Sequence, residues 1–159
     1  MEKTLENTDS NNAHISIIIP TYNESENIVR ILDSIGENLP SNTSTEAIVV
    51  DDNSPDGTAN LVENYIKKIK NSVSYTVKII QRKSKSGLSS AVINGIEKSN
   101  GETVVVMDSD FSHPPNMIPK MVNELKDSQY DIVIASRYLK EGGIEGWTTK
   151  RKIISKAGT

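Results

Sequence analysis

Short runs of β-branched residues alternate along the chain with stretches in which apolar residues recur every three or four positions. Ile15–Ile19 is the first run and stops at Pro20; its length and composition predict a buried strand. Behind it, Ile28, Ile31, Leu32 and Ile35 fall at i, i+3, i+4 and i+7, which places them on one face of a helix. Ala47–Val50 repeats the strand pattern. Val62, Tyr65, Ile66 and Ile69 repeat the helical one, with Thr58 as an N-cap after Gly57. Val77–Ile80 then leads into a helix built on Leu88, Ala91, Val92 and Ile96 that stops at Asn100-Gly101. Thr103–Met107 predicts a fourth strand. Ile118, Met121, Val122 and Leu125 predict the helix after it, with Pro114 and Pro115 near its start, and Ile132–Ala135 predicts a closing fifth strand. This alternation predicts an α/β fold with a mostly parallel sheet, flanking helices and right-handed crossovers.

The unusual residues fall between these elements. Each predicted strand is followed by a polar turn: PTYNE, DDNSPDGT, QRKSKSG, DSDFSHPP and SRY. In an open α/β sheet such turns gather at the carboxyl edge, where ligands bind. One polar loop carries little meaning, but a series of them on one edge predicts a site.

Composition narrows what that site could serve. The chain has 159 residues, 35% apolar and 25% charged, enough for one core and little room for a second domain. A net charge of −3 and an aromatic content of 4% argue against a nucleic-acid partner. No cysteine is present, so disulfides and thiolate metal sites are excluded. Residues 1–13 are polar and lack the apolar core of a signal peptide, which predicts a disordered leader before a domain over residues 14–159. No apolar run in the sequence approaches the roughly 18 residues needed to span a bilayer.

Two aspartate groups stand out at the predicted strand ends. Asp108 and Asp110 lie two apart, so they converge if the strand extends that far, and hard carboxylate oxygens suit Mg²⁺ or Mn²⁺. A solvated acidic strand end is the competing reading. At Asp51-Asp52, alternation puts Val50 and Asp52 on one side and Asp51 on the other, so only one carboxylate is expected to meet a base or ribose. Tyr22 could stack on a planar base and Glu24 could accept from one, whereas capping of the next helix is the simpler role for Asn23 or Thr21. Arg82, Lys83 and Lys85 read as mobile surface cations, and Gly87 as a place for close backbone approach to a ligand. Further on, Lys140, Lys150, Arg151, Lys152 and Lys156 surround Trp147 beyond Gly142-Gly143. That fits either an interfacial, phosphate-facing segment or a solvated basic surface.

Together, PTYNE (20–24), VVDDNSPDGT (49–58), DSDFSHPP (108–115), SRY (136–138) and the spaced GG–GW–KRKIIS of residues 142–155 resemble the family-2 glycosyltransferases of GT-A fold. The dolichyl- or polyprenyl-phosphate mannose synthases are the nearest of these. The resemblance implies a Rossmann-like sheet and a GDP-mannose site. Pro20, Tyr22, Glu24, Val50 and Asp52 would hold the guanosine, and Asp108 and Ser109 would contact the ribose and diphosphate. Asp110 would ligate Mg²⁺ or Mn²⁺, with Ser112 where some members carry a glutamine ligand. Arg137 and Arg151 would bind phosphate. Gly87-Leu88-Ser89 stands where members often read GLG. Family catalytic domains run well past Thr159, so the resemblance implies either the donor-binding part or a product truncated at the C-terminus.

The activity that the resemblance implies is mannosyl transfer to a dolichyl or polyprenyl phosphate with inversion, at the cytoplasmic side of a membrane. The membrane contact would be peripheral, and a partner membrane subunit is allowed for. A UDP-glucose donor, a donor-binding chain without transfer activity, and a phosphatase of the haloacid-dehalogenase type built on DSDFS are the rival expectations. The last fits poorly, because that family carries its Asp-x-Asp on the first strand.

Overall fold

The computed structural model describes residues 14–40, 43–69, 74–127 and 129–136. The leader, Arg137, Trp147, Arg151 and the rest of the basic tail lie outside the described residues. The chain divides into two compact units, Met1–Asn123 and Glu124–Thr159.

The first unit is built on four parallel strands, β1 (His14–Thr21), β2 (Ser44–Asp51), β3 (Tyr75–Gln81) and β4 (Thr103–Val106), in the order β3-β2-β1-β4. Helices α1 (Ile28–Glu37), α2 (Thr58–Lys68) and α3 (Leu88–Glu97) follow the first three strands in turn. A 3-10 turn (Pro115–Met117) leads into α4 (Ile118–Asp127), whose residues through Asn123 belong to this unit. The parallel α/β expectation holds, and all four strands point their carboxyl ends toward one edge.

Register separates two faces. Ile15, Ile17 and Ile19 of β1 and Ala47 and Val49 of β2 join Ile28, Ile31, Leu32 and Ile35 of α1, Val62 of α2 and Ile118 and Val122 of α4 in the larger core. All four predicted α1 positions are fully buried. The opposite face holds a smaller cluster of Ile18, Ile48, Val50 and Ala91, covered by α3.

On α3 the outcome differs from the pattern. Leu88 and Ile96 are 62% and 44% exposed, and the buried residues are Ala91 and Gly95. Periodicity locates the face with the most apolar surface, whereas small residues locate the face that can come closest. A Cβ on Gly95 would lie 2.4 Å from Ile18 Cγ2, the side chain of a fully buried residue. Gly95→Ala should therefore cost about 1–3 kcal/mol through overpacking. Urea denaturation measures it, and an unchanged midpoint would show that α3 can stand off the sheet.

In the second unit, the expected strand Ile132–Ala135 is absent: residues 129–136 form no strand, and Ile132 and Ile134 are 76% and 80% exposed. β-Branched residues favour a strand only where a ladder partner and apolar neighbours receive them.

Candidate functional site

The loops after β1 and β2 are tied to each other. Asn23 sits in the left-handed region at φ 62° and donates its N–H to Ser54 Oγ at 3.0 Å. The Glu24 amide donates to Thr58 Oγ1 at 3.0 Å, and the Ser25 amide to Asp56 Oδ2 at 3.0 Å. Asp56 Oδ1 also accepts the Thr58 amide and hydroxyl. Desolvation would raise the pKa of Asp56, but these donors outweigh it and hold the group at about 2. Asp56 thus satisfies the start of α2, where the sequence pattern points to Thr58 as the cap. Asn23 and Thr21 do not cap α1 either, because that helix begins at Ile28 behind Asn27.

Asp51 and Asp52 part company as alternation requires. Asp51 is fully buried and accepts from Thr21 Oγ1 at 3.2 Å, from Ser54 N at 2.9 Å and from Ser54 Oγ at 2.6 Å. It braces the first two loops. Asp52, 5% exposed, turns to the α3 side. Its Oδ1 accepts from Arg82, and its Oδ2 accepts the amides of Ser86 at 3.2 Å and Gly87 at 3.1 Å. Arg82 also donates to Ser90 Oγ at 2.7 Å and to the Gly87 carbonyl at 3.0 Å. Arg82 is therefore no mobile surface cation but the partner of the carboxylate expected to meet the ligand. The signal in the sequence was a lone arginine at the same sheet edge as an acidic pair.

Gly87 has a different role from the expected one. A Cβ there would meet nothing within 4 Å, but φ is +94°. The residue is needed for its backbone angle, which aims its amide at Asp52. Val50 is fully buried in the α3-side cluster, between Pro20 of β1 and Ile80 of β3. Tyr22 is 38% exposed, with Lys85 Nζ 3.5 Å from its ring centroid. Glu24 Oε2 accepts from Asn27 Nδ2 at 3.2 Å.

The loop after β4 sets the geometry of the second aspartate pair. β4 ends at Val106, so strand alternation does not extend through Asp108 and Asp110, and their placement comes from a turn with Phe111 at φ 61°. Asp110 Oδ1 accepts the Ser112 amide at 2.9 Å. Desolvation acts to raise the pKa of Asp110, but the Ser112 hydroxyl and amide and the nearby His113 outweigh it and keep the carboxyl below its ordinary value. Ser112 thus bonds Asp110, the carboxylate expected as its fellow ligand. Ser109 is 3% exposed. His113 Nδ1 accepts the Asp108 amide at 3.0 Å and lies 3.8 Å from Asp108 Oδ2. Arg30 lies 5.1 Å over the Phe111 ring.

Among the described residues, no group of three or more His, Cys, Asp or Glu side chains could hold a metal ion. Asp108 and Asp110 could offer one or two carboxylates to a hard divalent cation, which would then take its other oxygens from water and a ligand. No helix among the described residues is long and apolar enough to cross a membrane.

The family described as "Glycosyl transferase family 2" matches residues 16–158. A dolichol-phosphate mannosyltransferase of Pyrococcus furiosus is 45% identical over 142 residues, covering 89% of this chain and 38% of that protein. A protein of the same name from Saccharomyces cerevisiae is 36% identical over 143 residues, covering 88% of this chain and 51% of its own. This chain thus spans about half or less of those relatives' length. Among solved structures, a mannosyltransferase from Pyrobaculum calidifontis in complex with GDP-Man and Mn²⁺ aligns at TM-score 0.62 and 25% identity, covering 73% of this chain and 33% of that one. S. aureus TarS 1–349 in complex with UDP aligns at TM-score 0.60 and 23% identity, covering 80% and 40%. The fold is GT-A.

Proposed function

The chain belongs to glycosyl transferase family 2, and on that footing we propose that its carboxyl edge binds GDP-mannose for inverting transfer to a dolichyl or polyprenyl phosphate. The observation that carries this reading is the placement of Tyr22, Glu24, Asp52, Asp108 and Asp110 in loops at one sheet edge. The 45% identity to a dolichol-phosphate mannosyltransferase supports it.

Pro20, Tyr22 and Glu24 meet the guanosine, Val50 backs them from the core, and Asp52 reaches the base by exchanging one of its protein donors for it. Asp108 and Ser109 contact the ribose and diphosphate, Ser109 from a nearly closed position. Asp110 holds the cation, and Ser112 steadies Asp110 through its amide and hydroxyl. Mg²⁺ or Mn²⁺ there would supply Lewis-acid neutralisation of the diphosphate. Arg137 and Arg151 bind phosphate charge from the basic segment.

In the reaction, an acceptor phosphate oxygen bonds to mannose C1 on the face opposite the diphosphate as the C1–O bond to GDP breaks. A phosphate with a second pKa of about 6 is already largely ionised at neutral pH. The chain therefore needs no general base. His14, bonded to Ser44 at the opening of β1, is at the far end of the strands from this edge. A polyprenyl acceptor places the work at a membrane surface, with peripheral contact from the cytoplasmic side.

Calorimetric titration with GDP-mannose and UDP-glucose, each with and without Mn²⁺, tests the reading. Expected is Mn²⁺-dependent binding of GDP-mannose, weakened at least about tenfold in Asp110→Ala, since even supporting groups around a metal cost that much. Preference for UDP-glucose would keep the site and change the donor. Binding of neither would overturn the reading. Mannolipid formation from a polyprenyl phosphate separates a transferase from a donor-binding chain.

A further inference from the structure

The segment between β3 and α3 reaches both Asp52 and Tyr22, two of the residues proposed to hold the nucleoside. Arg82 and the amides of Ser86 and Gly87 occupy both oxygens of Asp52. Three residues after Arg82, Lys85 Nζ stands 3.5 Å from the centroid of Tyr22. That distance is a stacking distance: an ammonium there uses the same π face that a flat purine would use. Tyr22 is 38% exposed with Lys85 in place, so Lys85 shares the ring with solvent and covers part of the surface a base would use. A lysine free in solvent would not be held there. The anchoring of its neighbours to Asp52 keeps Lys85 near the ring at little further entropic cost.

We propose that Lys85 is a resident competitor for the Tyr22 ring and thereby sets the affinity of the site for a guanine nucleotide. The inference rests on the nucleoside reading of this edge and adds a residue that the reading does not use. The base and the ammonium exchange on one aromatic face: the nucleotide must displace Lys85 to stack. Removing the charge should then tighten binding, the opposite of what a cation contacting the diphosphate would do.

The test uses the whole 159-residue chain, GDP as the probe and Mn²⁺ present throughout. Lys85→Ala and Lys85→Met should each bind GDP about two- to fivefold more tightly than wild type, the range expected from losing an exposed cation–π contact. Lys85→Arg, which keeps a cation able to stack, should bind no more tightly than wild type. By NMR, the Lys85 ε-methylene protons of the free protein should be shifted upfield by the Tyr22 ring and should move toward ordinary lysine values as GDP is added. Equal or weaker GDP binding by Lys85→Ala and Lys85→Met, with wild type binding normally, would overturn this inference alone. So would an unshifted ε-methylene signal in the free protein. A shifted signal with no GDP binding by any form would instead overturn the nucleoside reading, and the inference with it.

Discussion

Asp52→Asn should lower the stability of the protein by about 2–3 kcal/mol, because it leaves Arg82 facing a neutral amide in a nearly closed environment. The side chains of Arg82 and Asp52 are 13% and 6% exposed. Truncating one partner of a fully buried pair costs about 3–5 kcal/mol. The asparagine oxygen retains part of the hydrogen bonding, which is why the expected loss is smaller. In a chain of this size, that loss lowers Tm by roughly 4–12 °C. Amide exchange should report the cause, since Ser86 and Gly87 lose the Oδ2 acceptor that orders them. Combining Asp52→Asn with Arg82→Met should cost less than the sum of the two single changes, the sign of direct coupling. An additive double mutant, with unaltered exchange at Ser86 and Gly87, would mean the loop is held by something else.

That pairing also marks the boundary of what the sequence makes legible. The alternation of Ile15–Ile19, Ala47–Val50 and Val77–Ile80 with helical repeats carried the parallel sheet, because burial of apolar side chains is periodic and local. The four α1 positions were legible for the same reason. The contacting face of α3 was not, since the approach at Gly95 depends on how near a backbone can come to Ile18. Arg82 and Asp52 are 30 residues apart and meet only through the parallel pairing of β2 and β3. No local pattern encodes that meeting. The caps failed similarly: Ser, Thr, Asn and Asp are interchangeable as signals, and the loops after β1 and β2 share them across a fold-dependent gap. For the candidate site, the edge and the residue types were readable. Which carboxylate is already satisfied by protein donors was not.

The opposite end of the sheet holds the second large effect, at a residue that the sequence pattern did not single out. Glu46 is 1% exposed on β2. Its Oε1 accepts the Ser16 hydroxyl at 2.6 Å and the Asn100 amide at 2.7 Å, and its Oε2 accepts from Lys78. Ser16 Oγ in turn accepts the Gly101 amide at 2.8 Å. One carboxylate thus joins three strands to the turn between α3 and β4. Glu46→Ala should destabilise by about 2–3 kcal/mol, since it strands the fully buried Ser16 hydroxyl, worth roughly 1–3 kcal/mol unsatisfied, and removes the acceptor of the partly buried Asn100 amide. Glu46→Gln should cost less: the half-exposed Lys78 can turn its ammonium to water, and the amide oxygen can still accept from Asn100.

Acid separates the charge of Glu46 from its shape. Burial alone would raise the pKa, but Lys78, Ser16 and Asn100 outweigh it and lower the group from 4.5 to about 2. A folded pKa below the unfolded one means that the unfolded chain binds the proton first. The contribution of the charge is therefore fully present above pH 4.5 and fades as pH falls toward 2. Denaturant titrations at about pH 7 and about pH 3 should show wild type losing more of its advantage over Glu46→Gln at the lower pH. A constant gap would show that the carboxylate acts through packing and neutral hydrogen bonds, with Lys78 contributing nothing electrostatic. A narrowing gap would show that the charge of Glu46, acting on Lys78, Ser16 and Asn100 together, is part of what ties β1, β2 and β3 to the turn before β4.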